Sequence, residues 1–372
     1  MVQIQNRHFN ILIIGQGLAG SLLAWKMIQQ GLSVLVIDNH HHHSASKVAA
    51  GIINPITGHR SNLTQGFVQF MSTAKTSYKQ LQDAFGQQFL SHIQQQRLLK
   101  NQGQQHYYLK RLEQTNYADF VTALEKAGNT SHPFKTDEFG VADIQETFRV
   151  DVNALLTTIK NWFITQNSYV YEKINYADIT IEDKHVRIKN NSLVCTAEHI
   201  VFCEGYQAIH NPWFKQLPFK LAKGEILTLQ LTKPQTAMLN WGHWLLPLLP
   251  QITTAFLGAN YAWNDTSEAC NKDIAQELLD SLEKNTHISA KVIAHQSGIR
   301  PSTINRKPLI GVHPDHSRLF CFNGFGSKGC LLIPYYAEQF TQHFSKGIAL
   351  ETLMPEISIS LFNKSNILTN AT

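Results

Sequence analysis

The sequence predicts an α/β protein of two domains, and three observations predict it. The chain has 372 residues, more than one hydrophobic core usually organises. A short apolar run, Ile11 to Ile14, leads straight into a glycine-rich turn, then a helical pattern, then a second apolar run. Hydrophobic residues make up 43% and charged residues 16%, too apolar a balance for a disordered chain.

The first elements follow in order. Ile11–Ile14 reads as a buried strand, and Leu22, Leu23, Met27 and Ile28 fall near helical spacing with Gly31 as the stop. Ser33 to Asp38 reads as a second strand ending in an acid. Between them, Gly15, Gly17 and Gly20 stand at the spacing Gly-x-Gly-x-x-Gly. Gly15 permits the tight turn, Gly17 lets the backbone approach a pyrophosphate, and Gly20 allows close helix–strand packing. Gly15, Gly17, Leu18, Ala19 and Gly20 thus form the expected phosphate cradle at a helix N-terminus. Asp38 is placed to accept hydrogen bonds from ribose hydroxyls. Strand, glycines, helix, strand and acid in this order predict a Rossmann-like dinucleotide site. They do not distinguish FAD from NAD.

Composition excludes several classes. No apolar run approaches the ~20 residues that span a bilayer, so no membrane segment is expected. The five cysteines, Cys195, Cys203, Cys270, Cys321 and Cys330, show no Cys-x-x-Cys spacing, against a zinc ribbon or disulfide framework. A polar N-terminus, Met1 to Asn10, argues against a signal peptide, and the expected location is cytoplasmic. A net charge of +5 without a Lys/Arg cluster is weak evidence for nucleic acid. The tract His40 to His43 reads as a solvated loop, because adjacent loop histidines lack the convergent geometry of a metal site. No metal is expected.

Later segments carry a resemblance. Residues 44–58 include Ser46 and the stretch Ala49-Ala50-Gly51-Ile-Ile-Asn-Pro55, whose small residues let backbone lie against a flat ring or phosphate. Further on come Val150-Asp-Val-Asn-Ala-Leu-Leu156, His199-Ile-Val-Phe-Cys-Glu-Gly-Tyr206 and Lys223-Gly-Glu-Ile-Leu227. The C-terminal part pairs Gly298-Ile-Arg-Pro301 and Pro308-Leu-Ile-Gly311 with Gly324-Phe-Gly-Ser-Lys-Gly329 and Pro334. Together these resemble the D-amino-acid oxidase superfamily, which includes glycine oxidase, sarcosine oxidase and the oxidase half of a bifunctional tRNA wobble-uridine modification enzyme. The form around Ala49 to Pro55 looks most like the last of these.

The resemblance implies FAD, with Ser46, Ala49, Ala50, Gly51, Gly205, Gly324, Gly326, Ser327, Lys328 and Gly329 joining the cradle residues as cofactor contacts. It implies that the glycine loop feeds a helix start beneath the pyrimidine end of the flavin, where N–H donors and dipole favour negative charge. Pro334 is expected in that helix's first turn or just before it. Arg300 and Lys328 are the implied catalytic pair, Arg300 as a fork for a substrate carboxylate. Two departures stand out. The carboxylate-gripping arginine of some amino-acid oxidases matches Ser327 here, with the cation one place later at Lys328. The cysteine that attaches flavin in sarcosine-oxidase-like enzymes matches about Gly298, so non-covalent FAD is expected.

The implied reaction is oxidation of a small amine or amino acid at its C–N bond, with hydride transfer to flavin N5 and reoxidation by O2 or another acceptor. Cys203, Glu204 and Glu225 read as structural residues. Trp241, Trp244, Tyr261 and Trp263 read as pocket walls or sheet packing alike. Two alternatives stand beside this: an oxidase of a carboxymethylaminomethyl group on a tRNA wobble uridine, less favoured, and a flavoprotein without turnover. The expected architecture is a Rossmann-like FAD domain over 1–85, 145–222 and 292–372. Interleaved with it is a substrate domain over 86–144 and 223–291, with a mixed, largely antiparallel sheet.

Overall fold

A computed structural model of the chain describes residues 5–39, 44–114, 116–122, 124–125, 132–355 and 357. The tract His40 to His43 lies outside the described residues.

The first apolar run extends to a strand, Arg7–Ile14, in which Phe9, Ile11, Leu12 and Ile13 are all at most 1% exposed. Burial on both faces makes it a central strand of a layered α/β sheet. It pairs in parallel with Val34–Asp38 on one side and with Val194–Phe202 on the other. Tyr169–Tyr171 extends the sheet beyond Val34–Asp38, and Leu319–Asn323 continues it in parallel beside the end of Val194–Phe202. Antiparallel strands, including Val186–Lys189 and Leu309–Val312, complete eight among the described residues. The helix Leu18–Gln29 packs Leu22, Leu23 and Met27 against Ile11 and Val34, while Phe9, Leu12 and Leu35 enter a second core on the opposite face.

Gly15 and Gly20 explain how tightly this unit closes. Gly15 has φ +105°, and a Cβ there would lie 2.5 Å from the Cys203 carbonyl oxygen. A Cβ on Gly20 would lie 1.9 Å from the Gly15 carbonyl oxygen. The helix therefore sits directly against the strand end, as the spacing predicts.

A second eight-stranded sheet is mostly antiparallel. Ala222–Leu231 pairs with Ala290–Arg300 on one edge and Gln251–Gly258 on the other. Trp244–Leu248 and Met238–Asn240 follow, then Gln95–Leu98 in parallel and Val141–Ile144. Alternation divides its faces. Leu227, Leu229, Leu245 and Leu257 pack against Leu278 and Leu282 of the helix Lys272–Asn285. Ile226, Met238 and Trp244 face the other way, toward Val48 and Ala50. The expected boundary at 292 falls inside Ala290–Arg300, which pairs with Ala222–Leu231 along its whole length. The Ser297–Pro301 motif marks the far end of that strand, so the chain leaves the second sheet later than 292.

The C-terminal helix also differs from expectation. It runs Gly329–Lys346, which places Pro334 beyond the first turn. Proline has no N–H for the carbonyl four residues back, here Cys330. That carbonyl is served from outside the helix: the Tyr78 hydroxyl, on the helix Phe67–Phe85, donates to Cys330 O at 2.8 Å. Both groups are buried, so this bond fastens the two helices at the point where proline opens the ladder.

Candidate active site

A cavity of about 1880 Å³ lies where the first sheet's strand ends face the second sheet. Small-molecule pockets usually reach about 1,000 Å³ at most, so this volume suits a dinucleotide and a substrate together. Parallel strands that end together open such a crevice at their carboxyl ends. Ile14, Asp38, Cys203 and Asn323, each at or beside the end of such a strand, all line it.

The structure brings nearly all the predicted residues to this cavity. Gly15, Gly17, Leu18, Ala19, Asp38, Ser46, Ala49, Ala50, Gly51, Gly205, Arg300, Gly324, Gly326, Ser327, Lys328 and Gly329 line it. Gly20 does not, being turned against Gly15 in the packing role described above.

The nucleotide end has the chemistry a dinucleotide requires. The helix Leu18–Gln29 starts without a side-chain cap at Gly17 and carries no acid in its first turn. Its positive end therefore faces the cavity with no carboxylate in its own first turn. Ser46 Oγ accepts from Leu18 N at 3.0 Å, and a Cβ on Gly17 would press within 3.2 Å of that same oxygen. Asp38 is oriented by Gln16 N, which donates to its Oδ1 at 2.9 Å. Glycine backbone, an open helix end and a fixed acid fit a pyrophosphate and a ribose.

The second glycine loop is tied to the first sheet by Asn323. Its Nδ2 donates to Gly205 O at 2.8 Å, and its Oδ1 accepts from Gly324 N at 2.8 Å. Gly324 has φ +79°, and a Cβ would meet Leu309 N at 2.9 Å, so only glycine fits this turn. The following helix, Gly329–Lys346, again has no side-chain cap, and Gly326 and Ser327 stand before it.

Arg300 and Lys328, the two predicted cations, both reach the cavity. The Arg300 guanidinium lies over Gly224, where a Cβ would come within 2.0 Å of it, so the missing side chain at Gly224 makes its slot. Its Cζ sits 4.3 Å from the Tyr261 ring centroid, and Nη1 donates to Asn260 O at 3.4 Å. Burial draws its pKa down, and no carboxylate among the described residues forms an ion pair with it. Lys328 Nζ donates to Thr64 Oγ1 at 3.2 Å, and burial, then Arg306, lowers its pKa. It too has no acidic partner among the described residues. Two half-satisfied cations therefore face the cavity.

The remaining candidates sort by position. Trp241, Trp244, Tyr261 and Trp263 all line the cavity, although Trp241 is also fixed in the core behind it by Nε1–H to Ser281 Oγ at 2.9 Å. Tyr261 and Trp263 stack at 5.9 Å, and Lys220 Nζ lies 5.0 Å over Trp263. Glu204 also lines the cavity, but accepts from Tyr176 Oη at 3.0 Å and Asn211 Nδ2 at 2.8 Å. Burial pushes its pKa up to about 7.

Glu225 lies off the cavity. Lys223 Nζ is 3.4 Å from its Oε1, Asn271 N donates to its Oε2 at 2.9 Å, and His295 Nε2 is 2.8 Å from the same oxygen. Glu225, Cys270 and His295 bring ligand atoms within 4.8 Å of one another, but the Lys223 ammonium already supplies a cation there. Cys203 and Cys330 line the main cavity, and burial holds both thiols protonated, Cys330 up to about 12. Sequence reasoning missed Thr64, Asn323, Gly224 and Arg97. None has a local signature, because each acquires its place only through long-range pairing.

The family described as FAD dependent oxidoreductase matches residues 10–343. The chain is 22% identical to the tRNA 5-methylaminomethyl-2-thiouridine biosynthesis bifunctional protein MnmC of Psychrobacter cryohalolentis, over 91% of this chain and 53% of that protein. It thus spans about half the length of that curated relative. Among solved structures it is similar to glycine oxidase from Geobacillus kaustophilus, with TM-score 0.77 and 17% identity over 92% of this chain and 96% of that one. Iminodiacetate oxidase from Chelativorans sp. BNC1 matches with TM-score 0.73 and 18% identity, over 94% and 98% of the two chains. These likenesses at low identity show the fold. No helix among the described residues is long and apolar enough to cross a membrane.

Proposed function

Because the chain belongs to the FAD-dependent oxidoreductase family, we propose that it oxidises the C–N bond of an amine whose oxidised carbon bears a carboxylate. The observation that carries this reading is Arg300, a part-buried guanidinium facing the cavity without an acid partner among the described residues. A buried, unpaired charge is costly, and a substrate carboxylate completes the pair in bidentate form. Tyr261 and the Gly224 slot hold the guanidinium in place before substrate arrives. FAD, when bound, would supply the electron sink for hydride removal from the α-carbon.

The chain's own residues do the rest. Gly15, Gly17, Leu18, Ala19, Ser46 and Asp38 would hold the dinucleotide. Lys328 and the uncapped helix start at Gly329 bring positive potential to the reacting end of the cavity. Ile226, Met238 and Trp244 present an apolar wall that keeps water from the reacting carbon. The substrate reacts as the neutral amine, and the imine product is hydrolysed by water. Cys203 and Cys330, held as thiols, are poor nucleophiles, which supports non-covalent cofactor binding.

A second reading is oxidation of a carboxymethylaminomethyl group on a tRNA wobble uridine. That group contains the same N–CH2–COO⁻ unit, and the similarity to the bifunctional relative supports it. One experiment separates the readings. Purified holoenzyme is mixed anaerobically with glycine, sarcosine, iminodiacetate and tRNA bearing the modified uridine, and flavin bleaching is followed. Bleaching by one class assigns the substrate. A flavin that stays oxidised with every one of them, yet photoreduces normally, refutes catalysis on this unit.

A further inference from the structure

We infer that Arg97 is a second anion-binding residue, holding an anionic group at the far end of the substrate from the carboxylate on Arg300. This deepens the proposed function and rests on it. The observation is a row of the second sheet that forms one wall of the cavity. Residues directly opposite one another in register run Ile226, Gly258, Trp244, Asn240 and Arg97. Opposed residues point to the same face of a sheet. Ile226, Trp244, Asn240 and Arg97 all line the cavity, so the row is continuous wall. Arg300 lies over Gly224 at one end, on the strand Ala222–Leu231. Arg97 stands at the other end, four strand spacings away, about 19 Å measured along the sheet.

Arg97 has the same unusual status as Arg300. It is 7% exposed, and among the described residues its side chain makes one hydrogen bond, Nη2 to Gly58 O at 2.5 Å. The groups that face it electrostatically are the phenols of Tyr108 and Tyr117, and no carboxylate among the described residues pairs with it. A guanidinium has five donors, so most of its capacity faces the cavity. Exposed His59 and Asn62, next to Gly58 in the chain, and Lys100, three residues beyond Arg97, also line the cavity, so this end is open to solvent. A chain that needed this arginine only for packing would not keep it half-satisfied against an aqueous cavity. The separation excludes a compact diacid whose two carboxylates flank one amine. It fits an elongated substrate: a carboxylate-bearing amine at Arg300 and a phosphate or carboxylate at Arg97.

The test uses N-(carboxymethyl)amines with alkyl arms of graded length ending in phosphate, carboxylate or hydroxyl. Binding to dithionite-reduced holoenzyme, which cannot turn over, is measured by calorimetry. At the matching length the charged arms should bind about 10-fold to 100-fold tighter than the hydroxyl arm. Arg97→Met should abolish that advantage, Arg97→Lys should keep part of it, and iminodiacetate should bind wild type and Arg97→Met alike. If Arg97→Met loses its flavin, Arg97→Gln, which retains a donor for Gly58 O, takes its place. An advantage that survives removal of the charge, or no advantage at any length, overturns the proposal. Phosphate and carboxylate arms identify which anion is preferred. Oxidised flavin that none of the compounds reduces refutes the proposed reaction separately, while the binding ratio still decides the role of Arg97.

Discussion

Replacing Tyr78 by phenylalanine removes one oxygen atom from a fully buried ring and leaves the ring's packing in place. That oxygen carries the donor for Cys330 O, the carbonyl that Pro334 cannot serve. In Tyr78→Phe the carbonyl is left without a partner in the protein interior, which costs about 1–3 kcal/mol. Pro334→Ala returns an N–H at the position that a regular helix would use. The structure therefore predicts coupling. Tyr78→Phe should destabilise the wild-type background by about 1–3 kcal/mol and the Pro334→Ala background by about 1 kcal/mol less. Urea unfolding of the four FAD-loaded proteins, followed by tryptophan fluorescence, measures the cycle. Equal costs in both backgrounds, to within about 0.3–0.5 kcal/mol, would refute the argument, because they would show that the phenol and the missing N–H do not serve the same carbonyl.

Three further outcomes are expected. Arg300→Met should weaken a carboxylate-bearing substrate by about 10-fold to 100-fold with FAD content unchanged; equal loss for an amine lacking the carboxylate would remove Arg300 from recognition. Lys328→Met should slow anaerobic flavin reduction far more than it weakens FAD binding, and stopped-flow traces against cofactor titration separate the two. Glu204 should make stability depend on pH. Its folded pKa, about 7, lies above the ordinary 4.5, so the folded state holds the proton more tightly. Stability from this group is thus complete below about 4.5 and falls as pH rises through about 7, by roughly 3 kcal/mol in all. Urea midpoints of wild type and Glu204→Gln at pH 5 and 8 test this, and a parallel decline in both proteins would show that Glu204 is not its source.

What was legible in the sequence was what is local. Gly15, Gly17, Gly20 and Asp38 lie within one strand–helix–strand unit, so spacing alone assigned them jobs, and the structure places Gly20 in packing as that spacing requires. Arg300 and Lys328 were found through motifs, and both reach the cavity. Arg97 was not found, because nothing in Gln95–Leu98 distinguishes it from an ordinary edge arginine. It becomes a wall residue only when Met238–Asn240 pairs beside it in parallel. Gly224 likewise reads as a weak point in a strand until the Arg300 guanidinium lies over it from the neighbouring strand. Pro334 was placed too near the helix start because the compensating donor, Tyr78, lies on another helix.

The order in which the cavity is assembled has a consequence for synthesis. The glycine turn, Asp38 and Ser46 of its nucleotide end are made first, but Gly205 and the loop Gly324 to Gly329 that also line it come much later in the chain. A ribosome adding about 5–20 residues per second needs roughly 15–60 s to cover that interval. During that time the N-terminal unit has no second glycine loop to hold a flavin against it. Cofactor capture therefore waits on synthesis of Gly324 to Gly329, long after the glycine turn at Gly15 has been made.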